Sequence, residues 1–239
     1  MANFNTIYII KGRDGQIQSA EAQTPVTEIT KTLAQRAPVG KSRINVAVHR
    51  KEAPLYVGYL LKEFLIQAGM NVSGTISEGI VPGNAKKLLT YHSSKNLQEV
   101  LKAGLKYSQN LIMNQIFLTM GVAKEGKPAT VAKGQKVYED FLKNQMGLKN
   151  IIVKEGSGIS RQNRVTALEM DKILVQFFPY YQLLPIKNGI YAKTGTLRGV
   201  SSLVGYFQSP TRGWVRFTII LNQGGGHRDR IAQILKNNL

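Results

Sequence analysis

The chain has 239 residues, with 32 Lys and Arg against 14 Asp and Glu, a formal net charge of +18, and no Cys. That length suits one large domain or two small ones with a core that needs no staples, and an apolar share of 43% excludes a disordered chain. The lack of Cys excludes disulfides, thiolate metal sites and a cysteine nucleophile, and no apolar run reaches the ~18 residues of a membrane span.

In chain order, Met1-Ala2-Asn3-Phe4-Asn5 has neither the charged nor the apolar region of a secretory leader, which points to a cytoplasmic protein or to an incomplete precursor. Ile7-Tyr8-Ile9-Ile10 reads as a strand ended by Gly12, Asp14 and Gly15, and Thr24-Pro25 through Gln35 as a short helix. Residues 1–36 are assigned to the remnant of an inserted or preceding domain, and 37–239 to the main one. Ile44, Val46 and Val48 alternate as in a strand, and from Pro54 apolar residues recur at helical spacing until Gly69. Val72 to Ile76 and Leu88 to Tyr91 read as short strands around a Gly/Pro loop. Ser94 is a cap for a helix through Leu97, Val100, Leu101 and Leu105; a second helix runs from Leu111 to Met120 and stops at Gly121. Residues 131–146 read as an amphipathic helix, Ile151 to Val153 as a short strand, and Thr166 to Phe177 as a helix. Tyr191 to Thr194 reads as a strand edge, Ser201 to Phe207 and Trp214 to Leu221 as a hairpin, and Arg228 to Leu239 as a closing helix. A helical block followed by an antiparallel sheet is an α+β plan.

Most candidate motifs fail. Gly40-Lys41-Ser42 lacks the first glycine of a phosphate loop, since position 35 is Gln, and Gly224-Gly225-Gly226 follows no βαβ unit. His49, His92 and His227 are too scattered for metal-ligand spacing, so no metal site is expected. The positive charge raises nucleic acid as a partner, but no Lys/Arg run exceeds two residues and no aromatics interleave with them. This favours a solubilising surface and argues against nucleic acid.

Two short motifs remain, Ser108-Gln109-Asn110 between two helices and Lys193-Thr194-Gly195-Thr196 on a strand. Alone, the first reads as a helix break with local capping and the second as a strand ending in a turn. Together and in this order they match the second and third signatures of active-site serine acyl enzymes, S-x-N and K-T-G. Four further stretches agree: Val46-Ala47-Val48 with the helix after it and Ala68-Gly69-Met70-Asn71-Val72-Ser73-Gly74; His92-Ser93-Ser94 with Leu97; Glu155-Gly156-Ser157-Gly158-Ile159-Ser160-Arg161 with Asn163; and Gly199 to Tyr206. From about residue 37 to its end the sequence resembles the C-terminal half of the D-alanyl-D-alanine carboxypeptidase family typified by penicillin-binding protein 4, peptidase family S13.

The resemblance implies a partial β-lactamase/transpeptidase-like fold, an antiparallel sheet packed against helices. It implies a serine carboxypeptidase or endopeptidase acting through an acyl-enzyme, without a metal or organic cofactor, on peptidoglycan stem peptides ending in D-Ala-D-Ala, the step that β-lactams trap, outside the cytoplasmic membrane. Ser108 would be the second serine of the proton network, Asn110 would hold the substrate amide, and Lys193 would anchor its carboxylate with help from Thr194. Gly195 would let the substrate lie close to the strand, and Thr196 would offer its N–H to the oxyanion. Ser157 and Ser160 would frame the site without a chemical step.

Two departures stand out: Gln109 replaces the usual Asp, and no Ser is followed three residues later by Lys. The expectation is therefore that this chain alone is inactive, the nucleophile coming from a complementing N-terminal half. The alternatives are a non-catalytic wall-peptide-binding module, which could hold β-lactams non-covalently, and a remnant of a split gene. All of these require the tips of Ser108 and Lys193 to meet.

Overall fold

The computed structural model describes residues 6–21, 24–47, 52–223 and 225–239. The chain divides into two compact units, Met1–His92 and Ser93–Leu239.

In the first unit, β1 (Thr6–Lys11), β2 (Ile17–Ser19) and β3 (Gly40–Asn45) form an antiparallel sheet in the order β2-β1-β3. β1 pairs with β3 from Thr6↔Asn45 to Lys11↔Gly40, so the sequence boundary at 36 falls inside this unit. Helix α1 (Glu28–Ala34) is capped by Thr27, whose side chain accepts from Thr30 N–H. Pro25 lies just outside it, as a residue without an N–H should. Helix α2 (Glu52–Gln67) turns Tyr56 and Leu60 onto Ile7, Ile9, Ala34 and Val46. Its last turn closes with Gly69 N–H on Ile66 O and Met70 N–H on Leu65 O, the two bonds of a glycine-terminated helix. The strand read through Val48 ends at Asn45, and Val48 and His49 lie outside the described residues. Residues 72–76 and 88–91 are not strands: both are irregular, and Leu88 and Leu89 are 95% and 83% exposed.

The second unit begins with α3 (Leu97–Lys106) and α4 (Asn110–Glu125), followed by α5 (Val131–Asp140), a π-helical turn at Phe141–Gln145 and α6 (Ala167–Phe177). Asn96, not Ser94, caps α3, through a reciprocal box with Glu99. Gly121 does not stop α4. It is buried in the helix interior, where a Cβ would strike the Gly134 N–H of α5, so the two glycines let the helices cross closely. Ile152 makes only an isolated bridge to Arg164 in place of the expected strand.

The sheet is antiparallel in the order β4 (Ile186–Lys187), β5 (Ile190–Leu197), β6 (Val200–Ser209), β7 (Gly213–Leu221), and α7 (His227–Asn238) follows it. Period-two alternation sorts its side chains. Ile190, Ala192, Leu203, Phe207, Phe217 and Ile219 face α7 through Ala232, Ile231 and Leu235. On the opposite face Tyr206 packs with Leu174, Leu184, Leu105, Tyr181, Tyr191 and Val204. Burying each such side chain contributes about 1.5–3 kcal/mol. Tyr206 also donates its hydroxyl to Leu174 O at 2.5 Å, and burial pushes its pKa up to about 12. Leu105 is the last apolar residue of α3, so this cluster ties the α3–α4 corner to the β5–β6 pair.

Candidate functional site

Ser108 sits at the corner between α3 and α4. Its N–H donates to Leu105 O and the Gln109 N–H donates to Gly104 O, which closes α3 with a left-handed residue at Ser108, φ +50°. Glycine is the residue this position favours, because a Cβ crowds the following carbonyl there. Strain of about 1 kcal/mol is thus retained at a residue whose side chain makes a specific contact. That contact is with Lys193 on β5: Nζ donates to Ser108 Oγ at 2.5 Å and to Thr194 O at 2.8 Å. The two residues are 85 positions apart in the chain. The strain has a direct check. S108G and S108A both lack the hydroxyl, and S108G should be about 0.5–1 kcal/mol the more stable in urea denaturation.

Lys193 is half-buried, and its pKa is lowered, first by desolvation and second by the charge of Arg228. Both influences favour the neutral amine, so this lysine gives up a proton more readily than a surface lysine does. Arg228, from the first turn of α7, donates through one terminal nitrogen to Gly195 O at 2.5 Å, Thr196 Oγ1 at 2.8 Å and Ser202 O at 3.2 Å. Thr194 and Thr196 are exposed, and a Cβ on Gly195 would meet the Ser202 hydroxyl, which would have to rotate aside. β4 pairs only with Ile190 and Tyr191, and the Ala192 N–H turns away from β6 to Pro185 O. By alternation, the main-chain groups of Thr194 and Thr196 share that outer edge.

Asn110 is exposed in the first turn of α4, and among the described residues no hydrogen bond joins it to Lys193. Thus Ser108 and Lys193 meet, Thr194 and Thr196 line the strand beside them, and Asn110 opens α4 two residues beyond Ser108 without a hydrogen bond to Lys193.

The Gly156–Ser160 turn is organised around Glu155. Its carboxylate accepts from Ser157 Oγ, Ser157 N–H (2.8 Å), Ser160 N–H (3.1 Å) and Asn163 Nδ2 (3.0 Å). Burial is the largest single influence and pushes the carboxyl up, but the hydrogen bonds together outweigh it and hold the pKa at about 2. A carboxylate with a depressed native pKa stabilises the fold above its unfolded value, roughly 4.3, and loses that contribution as pH falls toward its native value. E155Q should therefore melt below the wild type at pH 7, and the gap should close between pH 4.3 and 2 in thermal melts. A gap independent of pH would contradict this. Asn114 Oδ1 on α4 accepts the Gly156 N–H at 2.7 Å, which joins the turn to the helix that Ser108 precedes.

The model of the D-Ala-D-Ala carboxypeptidase 3 (S13) family matches residues 17–186 and 181–237. The chain belongs to that family. It is 26% identical over 91% of its length to a D-alanyl-D-alanine carboxypeptidase of Actinomadura sp. (strain R39), covering 46% of that protein. It is 27% identical over 75% of its length to the D-alanyl-D-alanine carboxypeptidase DacB of Haemophilus influenzae, covering 42% of it. The S13 chain thus spans about half the length of the curated relatives it matches. Among solved structures, penicillin-binding protein 4 (dacB) of Haemophilus influenzae, complexed with a β-lactam, superposes with a TM-score of 0.65 at 21% identity, over 98% of this chain and 68% of that one. This likeness shows the α+β fold. No described helix is long and apolar enough to cross a membrane.

Arg228 and the Glu155 hub were not read as functional from the sequence. Arg228 follows a glycine run with no motif around it, and only the fold carries it to β5. Glu155 could have been found, because an acid heading a Gly-Ser-Gly turn is a ready acceptor for the turn's N–H groups.

Proposed function

We propose that this S13 chain forms the carboxylate-binding wall of a D-Ala-D-Ala peptide cleft. The contact between Lys193 Nζ and Ser108 Oγ carries the reading. An ammonium on a strand edge attracts the terminal carboxylate, and the outer main-chain groups of Thr194 and Thr196 pair with an extended peptide as an added strand. The Thr196 N–H then points where an oxyanion would develop, and Asn110 meets the substrate amide from the start of α4. Ser108 passes a proton to and from Lys193, whose lowered pKa suits the task.

Acyl transfer also needs a nucleophilic serine activated by a neighbouring base. No Ser-x-x-Lys occurs in these 239 residues, so hydrolysis requires that pair from elsewhere, and without it the rate falls by a factor on the order of 10⁶. The substrates are peptidoglycan stem peptides of the cell envelope, and β-lactams occupy the same wall without a covalent bond.

The test pairs two probes on the chain alone. A fluorescent penicillin should leave no label that survives denaturing electrophoresis, while diacetyl-L-Lys-D-Ala-D-Ala should bind saturably and reversibly in calorimetry. Covalent labelling would reveal a nucleophile outside the Ser-x-x-Lys pattern, and no peptide binding would refute the wall.

A further inference from the structure

The loop from Lys154 to Arg164 touches both walls of the cleft. At one end Gly156 lies against α4: its N–H donates to Asn114 Oδ1 at 2.7 Å, and a Cβ there would strike the Met113 carbonyl. Asn114 is one helical turn beyond Asn110, so the two share a face of α4. At the other end Arg161 donates through a terminal nitrogen to Arg198 O at 2.8 Å. Arg198 and Gly199 form the turn beyond Leu197↔Val200, where the β5–β6 ladder ends, and Arg198 lies two residues past Thr196. Between these contacts the loop is closed on itself. Glu155 accepts from Ser157, Ser160 and Asn163, and Asn163 Oδ1 accepts the Lys154 N–H at 2.7 Å. Hydrogen bonds and short stretches of main chain thus connect α4 to the tip of β5.

We infer that Arg161 is a positioning residue of the cleft: through Arg198 O it braces the tip of β5 against the Glu155 turn, and so against α4, at the spacing a D-Ala-D-Ala peptide needs. The inference rests on the peptide-wall reading above and deepens it. The cluster of Leu105, Tyr191 and Tyr206 fixes the opposite end of β5, and Arg161 supplies the second fixed point. A hairpin tip is otherwise the part of a sheet that opens most easily. A peptide added to β5 as a strand and also met by Asn110 tolerates little error in the gap between the two walls. The planar guanidinium suits the task, because it holds one donor on a carbonyl with little loss of freedom per hydrogen bond.

The test measures binding of diacetyl-L-Lys-D-Ala-D-Ala to the full chain by calorimetry, below the melting transition of every variant. R161Q is too short to reach Arg198 O and should weaken the peptide about tenfold, with its urea midpoint close to the wild type. R161K keeps a donor of similar reach and should recover most of the affinity. E155Q leaves Arg161 in place but loosens the turn that carries it, and should weaken the peptide about threefold even though it removes a negative charge. R161Q and E155Q combined should bind no more weakly than R161Q, because both break one connection. Unchanged affinity in R161Q overturns the inference. Tighter binding by E155Q overturns it too, since Arg161 would then act only as a positive charge. Additive losses in the combined variant overturn it as well, and E155Q decides alone if R161Q does not fold. These outcomes leave the peptide-wall reading intact, whereas a wild type that binds no peptide overturns both.

Discussion

K193M should reduce the affinity for diacetyl-L-Lys-D-Ala-D-Ala about 100-fold in calorimetry while leaving the fold intact. Removing one partner of a desolvated charge pair leaves the other unpaired, and losses of this size follow. Lys193 is half-buried, with Nζ 2.5 Å from Ser108 Oγ, so the ammonium is pre-positioned. Methionine has a similar length and fills the same volume, so the sheet should keep its packing against Leu105 and Tyr206. K193R is a sharper probe. It keeps the charge, but the wider guanidinium cannot sit between Ser108 and Thr194 as an ammonium does, and it should restore only part of the binding. Full binding by K193M would remove the electrostatic basis of the site.

G205A should be the most damaging small substitution in the sheet. Gly205 pairs with Ala192 inside the β5–β6 ladder. A Cβ there would overlap the Tyr191 carbonyl oxygen and crowd the Ala192 backbone, neither of which can swing away as a side-chain tip can. Forcing an atom into such a contact costs about 3 kcal/mol. The displacement falls on β5 one residue from Lys193, so peptide binding should fail along with stability. Urea denaturation should show the lowered midpoint. A wild-type midpoint would mean that the two strands are further apart than described.

Strong periodicity made parts of the fold legible in the sequence. The β6–β7 hairpin and α2 have long apolar patterns bounded by Gly and Pro, and both lie close to where they were read. Residues 72–76 and 88–91 carry the composition of strands, yet a strand needs a neighbour to accept its hydrogen bonds, and composition does not say whether one is there. Gly121 has the appearance of a helix stop. Its reason is tertiary, the passage of α5 against it at Gly134, and nothing local to Gly121 signals that. Asn96 with Glu99 was a readable capping box that the nearer serine obscured.

The same division applies to the site. Ser108 and Lys193 were legible because their motifs occur in a family order, and the contact between them follows from the packing of Leu105 and Tyr191 in one cluster. Arg228 was not legible. It reaches Gly195 only because α7 returns across the sheet, burying Ala232 against Phe207 and Phe217.

The most direct measurement is amide chemical-shift mapping of the chain as diacetyl-L-Lys-D-Ala-D-Ala is added. The account predicts saturable shifts concentrated at Ser108 to Asn110 and at Ala192 to Leu197, absent in K193M. Shifts centred elsewhere, for example on Trp214 and Phe178, or a spectrum unmoved by the peptide, would contradict it.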